Sequence, residues 1–269
     1  MKETAMMPQQ PFWVISSKYF KVYTVLHDGI SHFYTFKAKK NTRDELLIVP
    51  DLSIDILFGC DRENPEAFYC GPVRQTRKHK NVTFRENKTY FGVRFEPCIS
   101  VCRISDVVEE ELDIEMILGD REMVYRICTA ESFMDRVKIF MQYYIGQCGQ
   151  YRESEKYKTI QIMLNQMILK NGNCKVQDLS SATYYSVRHI NQIFQDEVGI
   201  TPKTIAKTIR FQHAIRELSD EGHSLTEIAN HLGYYDEAHM IHEFKLNAGI
   251  TPGNYQKIIR KNYKIEYMK

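Results

Sequence analysis

One tetrapeptide occurs twice in this chain and constrains its fold more than any other feature. Gly199-Ile200-Thr201-Pro202 returns as Gly249-Ile250-Thr251-Pro252. An internal repeat means that one supersecondary unit is used more than once. Each copy has a mechanical reading. Gly sits just past a helix end, where a left-handed residue is needed. Ile packs back, Thr is the N-cap of the next helix, and Pro is its first residue, where a missing N–H costs nothing.

The repeat extends upstream, Phe194 matching Phe244 and Ile190 matching Met240. Val176-Gln177-Asp178-Leu179 matches Leu225-Thr226-Glu227-Ile228 with the offset shorter by one, so the second copy has one extra residue in its turn. In that copy Ser224 and Glu227 form a capping box. Ile228, Ala229 and Leu232 give the buried face, Gly233 ends the helix and Asp236 caps the next. The pattern predicts a helix-turn-helix twice, at about 175–199 and 224–249. The helix between them, Pro202 to Ser219, spans roughly 27 Å at ~1.5 Å per residue. Successive major grooves on one face of a duplex lie ~34 Å apart, so one chain could read two of them without dimerising.

The rest of the chain has the composition of an ordinary globular protein. Its 269 residues allow one large domain or two, and 43% are apolar and 26% charged, which excludes a collagen, a disordered tail and a disulfide miniprotein. No run approaches the ~18 apolar residues of a membrane span, and Met1 to Pro11 lacks the pattern of a secretory signal. The expected location is the cytoplasm, away from membranes. The seven cysteines are scattered and read as free thiols. The one close pair, Cys98 and Cys102, lacks a second pair at zinc-finger spacing.

The first hundred residues follow a two-residue period. Strands are expected at Tyr19 to Leu26, ending at the turn pair Asp28-Gly29, and at His32 to Phe36, Glu45 to Val49, Ile54 to Phe58, Phe68 to Cys70, Val82 to Phe84 and Tyr90 to Phe95. That density suggests a β-barrel or sandwich. Beyond about Ser105 the period becomes helical. Ser132 and Asp135 form a shortened capping box. Phe133, Val137, Phe140 and Tyr144 then make a stripe that suits either a dimer surface or packing on the chain's own barrel. Gly146 to Gly149 is read as a break in this helix, which places the domain boundary at 150/151. From Ser154 onward everything readable is helix.

Residues Glu155 to Ile259 resemble the DNA-binding domain of the AraC/XylS transcription regulators. Leu179, Ser186, Ile190, Phe194, Gly199 and Thr201-Pro202 carry the likeness in the first unit. Ile209, Arg210, Ala214 and Leu218 carry it in the connecting helix. In the second unit the matching residues are Ile228-Ala229, Leu232-Gly233-Tyr234, Phe244, Gly249 to Pro252 and Tyr255. The N-terminal half is similar to a sensor domain attached to some members, through Pro50-Asp51, Ser53, Asp55, Phe58, Gly71-Pro72, Gly92 to Phe95 and Pro97. The resemblance implies an α+β chain of two domains. Residues 1–150 would be a cupin-like β-barrel with trailing helices, for sensing or dimerisation, and residues 151–269 an all-α DNA-binding domain. It also implies a transcription regulator, such as an activator, whose partners are double-stranded DNA, RNA polymerase, a small-molecule effector and a second copy of the chain.

Within that frame the first recognition helix starts after Ser186 and exposes Arg188, Asn191, Gln192 and Gln195 opposite its core face. Arg bonds guanine bidentately, and Asn or Gln bonds adenine. The equivalent positions of the second recognition helix are Ala238, Ile241 and His242. Of these only His242 is a hydrogen-bonding reader, and Glu237 and Glu243 add negative charge. A thymine methyl against Ala238 or Ile241 would suit such a surface. Phosphate contacts are expected from the capped N-terminus at Ser186 and from Lys203, Lys207, Arg210, Lys245 and Lys257. Arg210 equally suits a role bracing the fold.

The formal charge of +2 would argue against DNA binding if spread evenly. Residues 155–269 hold 15 Lys and Arg against 12 Asp and Glu, so the small basic excess lies in the half with the repeat. The acidic second helix keeps a rival open, a protein-interaction regulator with weakened DNA binding that acts through a partner. A catalytic cupin would need clustered His and Glu ligands, whereas His27 and His32 flank a turn without a third, and His239 and His242 also lack one. No cofactor or metal is expected and the chain is not read as an enzyme. Two features stay open. The basic run Arg74 to Lys80 suits a solvated loop or an anion site. Asp51 and Asp55 suit either turn and edge positions or a ligand contact at the barrel mouth.

Overall fold

The computed structural model describes residues 8–39, 47–72, 77–78, 84–98, 111–113, 120–152, 155–220, 222–262 and 264–268. A short helix α1 (Pro11–Ile15) leads into strand β1 (Ser17–His27), which turns back as β2 (Ile30–Ala38). Asp28 and Gly29 both have positive φ, 56° and 68°, as a two-residue hairpin turn requires. The hairpin register sets Phe20 against Phe36 and Val22 against Tyr34. Strands β3 (Leu47–Ile48), β4 (Asp55–Cys60), β5 (Glu66–Cys70), β6 (Arg77–Lys78), β7 (Thr89–Phe95) and β8 (Glu111–Asp113) follow. The main sheet runs β8-β5-β4-β7-β2-β1, and β3 pairs with β6 apart from it. Gly92 in β7 lies under the Tyr34 ring, and a Cβ there would fall on the ring atoms.

The described sheet has two ends that do not pair with each other, so the expected closed barrel is instead an open sheet. Its faces are covered from two sides. On one side lie helices α2 (Arg121–Thr129) and α3 (Phe133–Arg152). Val137, Phe140 and Tyr144 of α3 are buried with Phe33, Phe58, Phe91 and Phe95. This decides the stripe: it packs on the chain's own sheet and is not a dimer surface. The reading of Gly146 to Gly149 as a break also needs correction, since α3 continues to Arg152. Asp135 and Ser132 do form the expected cap, with Asp135 N donating to Ser132 Oγ at 3.1 Å.

The second half is helical: α4 (Glu155–Leu169), α5 (Val176–Thr183), α6 (Val187–Glu197), α7 (Pro202–Ser219), α8 (Leu225–His231), α9 (Glu237–Ala248) and α10 (Pro252–Asn262). The chain does not end as helix. Glu266–Met268 forms β9, which adds in parallel to β1 and extends the main sheet to seven strands. By sequence β9 belongs to the helical half, and by hydrogen bonding it belongs to the sheet. The halves also share cores. Phe12, Trp13 and Tyr34 fall in one buried cluster with Phe211, Ile215, Leu232 and Tyr255. Leu52 joins Leu179, Ile190 and Phe194 in another. Among the described residues, no helix is long and apolar enough to cross a membrane.

Asp51 and Asp55 are neither edge nor exposed turn residues, because both are buried beside Arg94, itself 3% exposed. Arg94 Nε and a terminal nitrogen donate to Asp55 at 2.9 and 2.7 Å. Its other terminal nitrogen lies 3.4 Å from Asp51 and donates to the Pro8 carbonyl at 3.3 Å. Tyr34 Oη donates to Asp55 at 3.0 Å, and Gln10 Nε2 to Asp51 at 2.7 Å. Burial pushes Asp51 up to about 6 against the pull of Arg94. Burial, with Arg94 nearby, pushes His32 down to about 3. Burial followed by Arg216 and His231 pushes His213 down to about 4. The basic run Arg74 to Lys80, Cys102, and residues Glu45, Leu46, Val82 and Thr83 of two expected strands lie outside the described residues, apart from the paired backbone of Arg77 and Lys78.

These shifts set the acid response. Between pH 4 and the ordinary histidine value of 6.5, the unfolded chain binds protons at His32 and His213 that the folded chain refuses. Their contribution is full above 6.5 and is lost as pH falls. Asp51 works oppositely between 3.8 and about 6, where the folded chain holds the extra proton and gains as pH falls. Two sites against one leave a net loss, at about 1.4 kcal/mol per pH unit for one uncompensated site. The melting temperature is expected to fall from pH 7 to pH 5, and Asp51→Asn to steepen that fall. Scanning calorimetry across this range checks both slopes, and a flat profile would contradict the assignment.

Candidate nucleic-acid interface

Each helix-turn-helix is built from caps that the sequence supplies locally. In the first unit, Lys175 N donates to Asp178 Oδ2 at 3.0 Å and fixes the start of α5. Tyr184 ends α5 in the left-handed conformation, φ 59°. Ser186 then caps α6, its Oγ accepting from His189 N at 3.2 Å. In the second unit, Ser224 and Glu227 cap each other's backbone at 3.2 and 2.7 Å. Asp236 caps α9, accepting from His239 N at 2.7 Å. Gly199 and Gly249 both carry positive φ, 69° and 72°. Thr201 Oγ1 accepts from Thr204 N at the start of α7, and Thr251 Oγ1 from Asn254 N at the start of α10.

The inner faces hold the second helix of each unit by burial. Ile190 and Phe194 of α6 pack with Leu179, Ile205 and Ile209. Met240 and Phe244 of α9 pack with Ile228, Ala229 and Leu232. The outer face of α6 brings together Arg188, Asn191, Gln192 and Gln195, all exposed. Two of them have local partners. Asn191 Nδ2 donates to the Val187 carbonyl at 2.9 Å, and Gln192 Nε2 to Asp196 at 2.8 Å. Arg188 has no ion pair among the described residues. On α9, Ala238 and His242 are exposed and Ile241 is half-buried.

The acidic residues of α9 are tied into the scaffold. Glu243 pairs with Lys207 of α7 at 2.9 Å, and His239 lies 3.7 Å from the same carboxylate. Glu237 accepts a hydrogen bond from Thr226 Oγ1. Lys207, expected at a phosphate, is paired with Glu243 in this structure. Lys203, Lys245 and Lys257 are exposed and have no ion pair among the described residues. Arg210 is turned inward. It donates to the Gly172 carbonyl at 3.3 Å, and its guanidinium lies 5.2 Å from the centre of the Tyr234 ring. That geometry suits the bracing role.

Two prominent side chains escaped the reading of hydrogen-bonding types. Tyr184 is 96% exposed and Tyr235 91% exposed, one in each turn, just ahead of the caps of α6 and α9. Tyrosine normally shelters much of its ring. Their signal in the sequence was the doubled pair Tyr184-Tyr185-Ser186 and Tyr234-Tyr235-Asp236. In each doublet one ring is packed against the following helix: Tyr185 meets His189 edge-on at 4.9 Å, and Tyr234 meets His239 at 5.6 Å.

Residues 179–258 match the family described as a helix-turn-helix domain. No curated protein matches the chain. Among solved structures, it is similar to the DNA-binding domain of AdpA, a global transcriptional factor in complex with a target DNA. The two are 21% identical over 40% of this chain and 96% of that one, with a TM-score of 0.35. A probable AraC family transcriptional regulator from Rhodopseudomonas palustris is 22% identical over 40% of this chain and 99% of its own, with a TM-score of 0.34. Apo ToxT from Vibrio cholerae covers 87% of this chain and 98% of its own at 11% identity, with a TM-score of 0.45.

Because Asp236 accepts the hydrogen bond that starts α9, Asp236→Ala is expected to destabilise the fold by about 1 kcal/mol, and Asp236→Ser by much less. Urea unfolding of the three proteins checks the order. Equal midpoints would show that the cap is dispensable.

Proposed function

The chain carries an AraC-type helix-turn-helix domain over residues 179–258, and on that basis we propose a sequence-specific transcription regulator that binds double-stranded DNA through both units. The observation that carries this reading is α6. A capped helix, pinned by Ile190 and Phe194, presents Arg188, Asn191 and Gln192 in one exposed row. Side chains of these types on a helix of this kind read guanine and adenine edges in the major groove. A base that bonds the Gln192 amide replaces its exposed hydrogen bond with Asp196.

The second unit contributes shape and methyl contacts through Ala238 and Ile241, with His242 as its polar group. Neutralisation of Glu243 by Lys207 lowers the repulsion that α9 would otherwise offer to phosphates. Lys203, Lys245 and Lys257, together with the N-terminus of α6 at Ser186, supply phosphate contacts. Tyr184 and Tyr235 extend the row at the turn of each unit and suit backbone contacts. Control of this domain by an effector or by dimerisation falls to the N-terminal half, with RNA polymerase as the downstream partner. An effector acts only if it prefers one arrangement of the halves over another.

Selection of bound sequences from a random DNA pool tests the assignment. A preferred site spanning two successive grooves is the expected result. Asn191→Ala with Gln192→Ala is expected to lower discrimination between sites by ~1–3 kcal/mol for each bidentate pairing with a base that the substitutions remove. The logarithm of affinity should fall linearly with the logarithm of salt concentration, with a clearly negative slope. Absence of measurable binding to any duplex would instead favour the protein-interaction regulator.

A further inference from the structure

The lead-in to the first helix-turn-helix unit touches the second unit directly, besides the covalent link through α7. The turn between α4 and α5 is the meeting point. A Cβ on Gly172 would collide with the Ala206 carbonyl oxygen and lie 2.6 Å from Arg210 N, so this turn rests on the backbone of α7. The next residue, Asn173, reaches the turn between α8 and α9, where a Cβ on Gly233 would collide with its side-chain amide. Arg210 spans the same gap. A terminal nitrogen donates to the Gly172 carbonyl at 3.3 Å, and the guanidinium stands 5.2 Å from the ring centre of Tyr234, the residue after Gly233.

We propose that Arg210, together with Asn173 seated against Gly233, is a positioning device that locks α6 and α9 into one rigid body, so that the chain selects duplex sites by the spacing of their two halves. The repeat supplies an internal control. At the same distance from the start of each unit's first helix the backbone turns left-handed, with φ 59° at Tyr184 and 69° at Gly233. Tyr184 is 96% exposed, so the turn itself accepts a large side chain when nothing packs on it. Glycine at 233 therefore answers to Asn173 and not to turn geometry alone. Arg210 points the same way. Its Nε is buried without a hydrogen-bond partner among the described residues, a cost that an apolar side chain on α7 would avoid. What the guanidinium offers in return is a flat face for Tyr234 and a terminal donor for Gly172, two partners that no aliphatic chain joins.

Rigidity turns geometry into selectivity. One base pair inserted between two half-sites shifts the far one by ~3.4 Å and rotates it by about 35°. Two units on a pliant joint would follow that movement. Two units held by Arg210 and Asn173 do not, and one of them gives up its contacts. Lys207 adds to the lock from one turn earlier on α7, through its pair with Glu243 of α9. The spacing selectivity rests on the proposed DNA-binding function, whereas the lock itself does not.

The lock is read first without DNA. Nitroxides are carried at Gln195 of α6 and Leu246 of α9, both exposed, by a ketone-bearing amino acid at each position, which leaves the seven cysteines unlabelled. Double electron–electron resonance on the full chain is expected to give one narrow distance distribution, and Arg210→Gln to broaden it at least twofold. Arg210→Lys is expected to broaden it as well, because an ammonium lacks the flat face. Asn173→Gly, at an exposed position, keeps the test valid if the arginine variants fail to fold, and is expected to act in the same direction. A broad distribution in the wild type, or an unchanged one in the folded variants, overturns the lock. Affinity is then measured on a selected duplex site and on the same site with one base pair inserted at its centre. The wild type is expected to bind the longer site at least tenfold more weakly, and the variants less than threefold. Equal losses in wild type and variants overturn the spacing role alone. Absence of wild-type binding to any duplex overturns the DNA-binding reading, while the distance measurement still decides the lock.

Discussion

The architecture depends on balancing one buried positive charge. Arg94 sits near the end of β7, where water cannot solvate it, and an isolated charge in that position is prohibitively costly. Asp55 takes two of its hydrogen bonds, Asp51 supplies a second carboxylate, and the Pro8 carbonyl accepts another bond. These partners come from β4, from the loop before it and from the N-terminal segment. Satisfying the charge thus fixes three separate stretches at once. Removing one partner of such a buried group costs about 3–5 kcal/mol, because the remainder is left uncompensated.

The consequences travel outward from that cluster. Gln10 binds Asp51 with the same amide nitrogen that donates to the Val49 carbonyl, so the segment at Pro8 to Gln10 lies flat against the sheet. Gln9 is then in place for Gln212 of α7. Phe12 and Trp13 follow into the cluster that holds Phe211 and Ile215 of the same helix. The helix linking the two recognition units is therefore seated on the sheet through residues that the arginine cluster positions. Strand β9 closes the arrangement from the other half of the chain by covering the edge of β1, which would otherwise be unpaired.

The repeat was legible because its signals are local. A cap, a helix-ending glycine and an apolar face each act within a few residues, so Ser224 with Glu227, Asp236, Gly249 and Pro252 could be placed without knowledge of any distant partner. The hairpin at Asp28-Gly29 was legible for the same reason. The identity of the outward row on α6 followed from the inward row, because a helical period fixes one once the other is known. Where the reading went astray, the deciding interaction was distant. Gly146 and Gly149 suggested a break because glycine weakens a helix, yet α3, anchored along its length by Val137, Phe140 and Tyr144, continues through them. Propensity is a weak prior once one face of a helix is anchored.

The sequence by itself determined that two capped helix-turn-helix units exist, where their helices start and stop, and which side chains stand on their outer faces. These are properties of short-range periodicity and capping, and they need no knowledge of the rest of the chain. Only the tertiary structure decided what the charges do. Lys207 and Arg210 looked alike as basic residues of one helix, but one neutralises Glu243 and the other braces Gly172 and Tyr234. Asp51 and Asp55 looked like loop and strand-edge carboxylates, and they prove to be the counter-charges of a buried arginine. The placement of the last strand was equally unreadable. A two-residue period in Ile265 to Met268 is too short to announce a strand, and its partner lies more than two hundred residues away in sequence.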